Sequence, residues 1–187
     1  MRVRSVFAVV ATVAMSASVM APANADTKAF KDKRGDMKSG LDVHTVRVDN
    51  DGPQISITTK HRNLRKGPKV LGGGVSAFID IAPRRKGPEF VISGPVGFDG
   101  GYHISKVRRW KTVGKPLPCK SLKFRANYKR DTVRFAVGRP CLDRAYDQKI
   151  GKIRAAVRVV QQKRPGGQNK VDWAPKRRTF YKAVQRN

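Results

Sequence analysis

At 187 residues the chain has room for one domain, and its 41 Lys and Arg against 13 Asp and Glu give a formal net charge of +28. An excess of that size is a statement about partners, favouring anionic ones, and works against self-association rather than for any fold. Glu89 is the sole glutamate, and neither a G-x-S-x-G nor an H-E-x-x-H pattern is present, so no familiar hydrolase motif marks a catalytic site.

Residues 1–25 carry the three parts of a secretory signal: Arg2 and Arg4, an apolar run from Val6 to Met20, and the small-residue site Ala23-Asn24-Ala25. The run is short and diluted by Ser16 and Ser18, which argues against a retained anchor, and no later stretch is apolar enough to span a bilayer. The chain is therefore expected to be secreted and extracellular, free or at the cell wall, with no membrane insertion after signal removal. Cleavage after Ala25 removes two of the 41 basic residues and no acid, leaving 39 against 13. Residues 26–40 hold Lys28, Lys31, Lys33, Arg34 and Lys38 with little apolar beyond Phe30, and read as a flexible basic leader. A single domain is expected over 41–187.

From Leu41 onward short apolar stretches alternate with turn signals. Strands are expected at 41–48, 54–61, 75–81, 88–93, 101–108 and 152–160, with two more in a hairpin described below. Asp49-Asn50-Asp51-Gly52 makes the first turn, and Pro165-Gly166-Gly167 stops the last strong strand. No window carries a helical stripe over three turns. The reading is an all-β, antiparallel β-sandwich, jelly-roll-like, of about eight strands. Residues 170–187 form an extended basic C-terminal segment whose Trp173, Phe180 and Tyr181 suit packing across a sheet edge, while Pro175 argues against a central strand there.

The hairpin lies between Cys119 and Cys141. Leu122, Phe124, Ala126 and Tyr128 alternate with polar residues, and Val133, Phe135 and Val137 resume the period after Lys129-Arg130-Asp131. Facing both apolar sets inward sets Tyr128 opposite Val133 and Ala126 opposite Phe135, with a loop at 129–132. Two cysteines at the open ends of such a hairpin, behind an export signal, are expected to form a disulfide. A metal reading of the pair fails, because neither C-x-x-C nor a nearby histidine accompanies it.

Other patterns carry little chemistry. Gly72-Gly73-Gly74-Val75-Ser76-Ala77 matches a loose dinucleotide pattern but precedes a strand where a helix is required. Asp49-Asn50-Asp51-Gly52 lacks the acid that closes a calcium loop. His44, His61 and His103 fall on separate strands, so no metal site is assigned, and no cofactor either. An acid pair of Glu89 with Asp80 or Asp99 could in principle serve a glycosidase, but Pro88-Glu89 reads as a strand start and Asp99 as part of the turn Asp99-Gly100-Gly101, so no catalytic residue is assigned.

Gly35-Asp36, Leu41-Asp42-Val43, the turn Asn50-Asp51, Ile55-Ser56-Ile57-Thr58, Phe78-Ile79-Asp80-Ile81 and Pro88-Glu89-Phe90-Val91-Ile92 follow in an order that resembles small exported β-sandwich proteins of Gram-positive bacteria. More loosely the order is similar to jelly-roll modules of the DOMON and family-9 carbohydrate-binding type. The resemblance covers roughly 35–160 and implies a sandwich fold and a non-catalytic exported protein. In such modules the strand of Asp80 often continues into a second acid; here Ala82 holds that place, so no metal role carries over to Asp80.

The alternation places Lys123, Arg125 and Arg134 on the outward face of the hairpin, and Lys152, Arg154 and Arg158 on that of the following strand. No acid interrupts either set. If the two lie in one sheet they form a face for an anionic polymer, such as wall teichoic acid, an acidic polysaccharide or extracellular nucleic acid. Arg108 and Arg109 beside Trp110 suit phosphate contact with the indole stacked on a base or sugar. The alternatives are a carbohydrate or protein-ligand module, including an inhibitor, using Trp110 or Trp173, and a secreted hydrolase. The mature chain is expected to begin at Asp26; an intact mass of exported protein that retains residues 1–25 overturns the signal reading.

Overall fold

The computed structural model describes residues 27–66, 73–162 and 168–186, so the expected signal at 1–25, Gly72 and the expected stop at Pro165-Gly166-Gly167 lie outside the described residues. Twelve strands and one helix are described: β1 (Thr27–Lys31), β2 (Val43–Asp49), β3 (Gln54–His61), β4 (Gly73–Asp80), β5 (Phe90–Val96), β6 (His103–Arg108), β7 (Lys111–Val113), β8 (Lys123–Asn127), β9 (Thr132–Gly138), α1 (Arg139–Tyr146), β10 (Lys152–Gln161), β11 (Lys170–Ala174) and β12 (Val184–Gln185). All strand pairings are antiparallel. The first sheet runs β1-β2-β3-β9-β8 and the second β11-β10-β4-β5-β6-β7, with β12 also on β10.

The two sheets pack face to face because the period-two alternation puts one apolar set on each inner face. Val46, Val48, Ile57, Val133 and Phe135 from the first sheet meet Val75, Ile79, Ile92, Ile153 and Val157 from the second, all within one buried cluster. Each such side chain contributes roughly 1.5–3 kcal/mol when fully withdrawn from water.

Four strands fall outside the expected set: β1, β7, β11 and β12. The expected flexible leader is partly built into the sandwich. β1 pairs along the whole of its length with β2, Phe30 stacks on Tyr181 at 4.6 Å between ring centroids, and Met37 is buried. One ring and a free edge of β2 suffice to order a segment whose composition reads as soluble. The C-terminal segment closes the other edge of β10: β11 pairs with residues 157–161, the Tyr181 amide donates to the Ala155 carbonyl at 3.0 Å, and β12 pairs with Lys152 and Ile153.

The hairpin has a different register from the one expected. Ala126 faces Val133, Phe124 faces Phe135, and the loop is 128–131. The shift is two residues, so every side chain keeps its face. Its cause lies in the loop: Tyr128 leaves the ladder and its hydroxyl accepts the Gly97 amide at 3.1 Å, while Asp131 takes a left-handed φ of 50° and its carboxylate accepts the Leu64 amide at 2.9 Å. After β9 the chain turns into α1, a two-turn helix too short to show a stripe, with Pro140 in its first turn where a missing amide costs nothing. Leu142 anchors it in the core.

Arg139 at the start of α1 is 3% exposed. Its guanidinium donates to the carbonyls of Gly52 at 2.7 Å, Ile150 at 3.1 Å and Asn50, and to the Asn50 side-chain oxygen at 2.8 Å. Asn50 in turn donates to the Val184 carbonyl at 2.7 Å. The β2–β3 turn, α1, and the approaches to β10 and β12 are thereby joined through one buried charge.

Cys119 and Cys141 are bonded, with their Cα atoms 5.8 Å apart, so the disulfide links the lead-in of β8 to α1. Closing a loop of 22 residues restricts the unfolded chain by about 3 kcal/mol in the chain-entropy account. Replacing both cysteines by serine is expected to lower the urea midpoint while leaving the folded-state circular dichroism unchanged; an unmoved midpoint overturns this.

Candidate anion-binding surfaces

The outward face of the first sheet is set by register. Arg125, Arg134, Thr58 and Arg47 form one row across β8, β9, β3 and β2. The adjoining rows bring Lys123 and Asp49 on one side, and Asn127, Thr132 and Lys60 on the other. With Ser56 and with Lys129 and Arg130 from the hairpin loop, these residues other than Lys123 and Lys60 line a shallow trough of about 820 Å³. Asp49 is the one acid in its lining.

Arg125 and Arg134 are direct cross-strand partners. Like charges so placed are destabilising, by a few tenths of a kcal/mol or more. Among the described residues neither they nor Arg47 has an ion-pair partner. Lys60 is differently employed, donating to the Arg130 carbonyl at 2.6 Å and lying 3.6 Å from the Asp131 carboxylate. The trough therefore offers four guanidinium groups, those of Arg47, Arg125, Arg130 and Arg134, together with the hydroxyls of Ser56, Thr58 and Thr132, an arrangement able to take several phosphate, sulfate or carboxylate groups in succession.

The single face expected from sequence divides in two. Lys123, Arg125 and Arg134 belong to the first sheet, whereas Lys152, Arg154 and Arg158 lie on β10 in the second, with their outward faces on opposite sides of the core. The β10 cations are also less free. Arg154 is hydrogen-bonded to the wholly buried Asp80 and lies over the Phe180 ring at 4.9 Å, and Arg158 lies over Trp173 at 5.9 Å.

That outer face of the second sheet carries a small apolar layer of its own. Phe78, Val91, Val107 and Ala156 are buried beneath Trp110, Trp173 and Phe180. Trp110 stacks on Phe180 at 4.8 Å and meets Phe78 at 5.1 Å and Trp173 at 5.5 Å. Its indole is thus engaged in packing. Arg109 and Trp110 form the two-residue β6–β7 turn with φ values of 50° and 68°, a conformation that favours Asn-Gly. Left-handed backbone costs an L-residue roughly 1–2 kcal/mol; burial of the Trp110 ring offsets it. The ring sits against Gly87, where a Cβ would lie 3.4 Å from it. Arg108 and Arg109 project on the other side of this hairpin, into a cleft at the end of the sandwich.

The remaining candidates are dispersed. His61 is buried, its Nδ1 donating to the Leu41 carbonyl at 2.8 Å, and burial pulls its pKa down to about 4. His44 bonds Asp42 at 3.1 Å, and His103 is exposed on β6. Asp80 and Glu89 are neighbours, whereas Asp99 sits on an exposed loop beside Lys66 at 3.0 Å. Burial, together with the charge of Asp80, holds Glu89 above its ordinary value although its carboxylate accepts the Ile81 amide at 2.9 Å.

One convergence escaped sequence reasoning altogether. Asp32, Asp36 and Asp172 bring one carboxylate oxygen each within 4.8 Å of one another, a spacing that could also hold a small cation. No local signal announces it, since the first two lie in the expected leader and the third in the C-terminal segment.

No protein-family model matches the chain, and comparison with curated proteins gave no match either.

The carboxyl cluster makes stability depend on pH. Burial, then the charge of Asp172, pushes Asp32 up to about 7, and burial pushes Asp172 up to about 6. Asp36 is raised by burial and by Asp42; Asp42 is held low against its own burial by the Gly35 and Met37 amides. The Tyr181 hydroxyl donates to Asp32 at 3.3 Å, while the second Asp32 oxygen is buried with no hydrogen-bond partner among the described residues. Asp32 and Asp172 hold protons in the folded state that the unfolded chain releases near its ordinary value of 3.8. Their contribution is complete below that value and is lost as pH rises through 6 to 7. Melting in the presence of a chelator is expected at higher temperature at pH 5 than at pH 8, and Asp32→Asn is expected to shrink the difference by raising the pH 8 value. An unchanged difference in the variant overturns the assignment.

Proposed function

We propose that this protein is an exported, non-catalytic binder of an anionic polymer, held along the trough on the outer face of the first sheet. The observation that carries the reading is the Arg125–Arg134 cross-strand pair, with Arg47 in the same row and no acid between them. A merely solvated strand face intersperses acids to relieve such repulsion, whereas a bound polyanion relieves it by supplying the missing charge. Wall teichoic acid, acidic polysaccharide and extracellular nucleic acid all present that repeating charge. The disulfide supports an oxidising compartment, in keeping with the expected signal, and among the described residues no helix is long and apolar enough to cross a membrane.

A carbohydrate or protein-ligand module is the second reading. It is favoured by the meeting of both indoles, Trp110 and Trp173, beside Arg158, Arg177 and Arg178 around a hollow on the second sheet. It is weakened by the same rings stacking on Phe180 and Phe78, which occupies one face of each indole.

Filter binding of a short DNA duplex over a salt series separates these readings. The triple variant Arg47→Glu, Arg125→Glu, Arg134→Glu is compared with Lys120→Glu, Lys149→Glu, Lys176→Glu, three exposed lysines outside the trough. Each lost phosphate contact reduces the slope of log affinity against log salt by about 0.9 for a duplex and about 0.7 for a single strand. The trough variant is expected to lose more than about tenfold in affinity and two to three units of slope. Equal loss in both variants shows that binding follows net charge alone, and binding insensitive to salt supports the indole hollow.

A further inference from the structure

The cleft that receives Arg108 and Arg109 has a chemistry distinct from the trough. It lies between the β4–β5 loop, the β6–β7 hairpin and the end of α1, with a volume of about 730 Å³. That volume lies within the range of about 300–1,000 Å³ usual for small-molecule sites. Two separate segments deliver cations to it: Arg85 and Lys86 from the β4–β5 loop, and Lys106, Arg108 and Arg109 from the β6–β7 hairpin. Alternation along β6 points Lys106 and Arg108 to the side on which Ile104 enters the core, so the two share one wall.

Among the described residues none of these five has an ion-pair partner. Glu89 is the one acid in the lining against these five cations, and its carboxylate accepts the Ile81 amide at 2.9 Å. The cations share the lining with Val113 and Tyr146, and Tyr146, edge-on to the buried Phe90 at 6.5 Å, carries the Arg85 guanidinium over its ring at 5.3 Å. The β6–β7 turn that positions Arg109 is pinned from behind by the Trp110 ring, so the guanidinium is presented from a fixed backbone. Guanidinium groups recognise phosphate oxygens by paired hydrogen bonds, and several cations around a small volume favour a group of concentrated charge over a single carboxylate.

We infer that this cleft is a site for a small organic phosphate, with Lys106, Arg108 and Arg109 on the phosphoryl oxygens and Tyr146 against the apolar part of the ligand. The inference goes beyond the polymer reading and does not depend on it.

Calorimetric titration of the exported chain with inorganic pyrophosphate at fixed ionic strength provides the test, with citrate as a carboxylate comparator. Saturable binding of one pyrophosphate per chain is expected. Lys106→Gln with Arg108→Gln is expected to weaken it at least tenfold, while Lys120→Gln with Lys176→Gln, the same charge change outside the cleft, alters it less than twofold. No saturable heat, more than one site per chain, or equal losses in the two variants overturns the site. Citrate binding as tight as pyrophosphate overturns the assignment to phosphate. Because pyrophosphate is too short to span the trough row, the polymer reading can fail in the duplex experiment while this one stands, and the reverse.

Discussion

The buried guanidinium of Arg139 ties together parts of the chain that no local pattern relates. A charge withdrawn from water to this degree costs several kcal/mol unless its donors are satisfied, and here the carbonyls of Asn50, Gly52 and Ile150 and the Asn50 side chain accept from four of the five N–H groups. The β2–β3 turn of the first sheet and the entry to β10 of the second are thereby held in one arrangement. Asn50 extends the clamp to β12. Once that end is closed, β9 and β10, consecutive strands joined by α1, are committed to different sheets, and their outward cations to different sides of the molecule.

The same economy explains where the acids went. Asp42, Asp49, Asp51, Asp80, Glu89, Asp131, Asp143 and Asp172 all accept backbone amides. Such bonds stabilise turns and strand ends that the sheet ladders leave unsatisfied. With most of its 13 acids employed on main chain, the molecule has few left to intersperse among surface cations. The positive outer face is therefore a consequence of how the turns are built as well as of how many lysines and arginines the chain carries.

The two outer faces differ in kind. On the second sheet, Phe78 and Ala156 are covered by Trp110, Trp173 and Phe180, so that its cations lie over rings or, for Arg154, against Asp80. On the first sheet, Thr58 separates Arg134 from Arg47, and Arg47, Arg125 and Arg134 are all exposed. A sheet face already carrying an aromatic layer has little area left for a flat polymer, whereas the first sheet presents its rows of donors directly.

The amino-acid sequence by itself determined the class of the fold, the paired cysteines and the facing of individual residues. Alternation with period two is a local property, and β3 matches its expected span of 54–61 in full. Even the hairpin's two-residue shift left Arg125 and Arg134 outward, because facing follows parity and not partner. Partnership was the part that only tertiary structure decided. Arg47 belongs beside Arg134 because β3 pairs with both β2 and β9, a contact between segments some 75 residues apart; Arg154 is removed from that row for the same reason. Asp32 meets Asp172 only when both chain ends are docked. β1, β11 and β12 are short edge strands whose own residues specify little, and they form where an unpaired edge of β2 or β10 offers hydrogen bonds that an isolated segment cannot supply for itself.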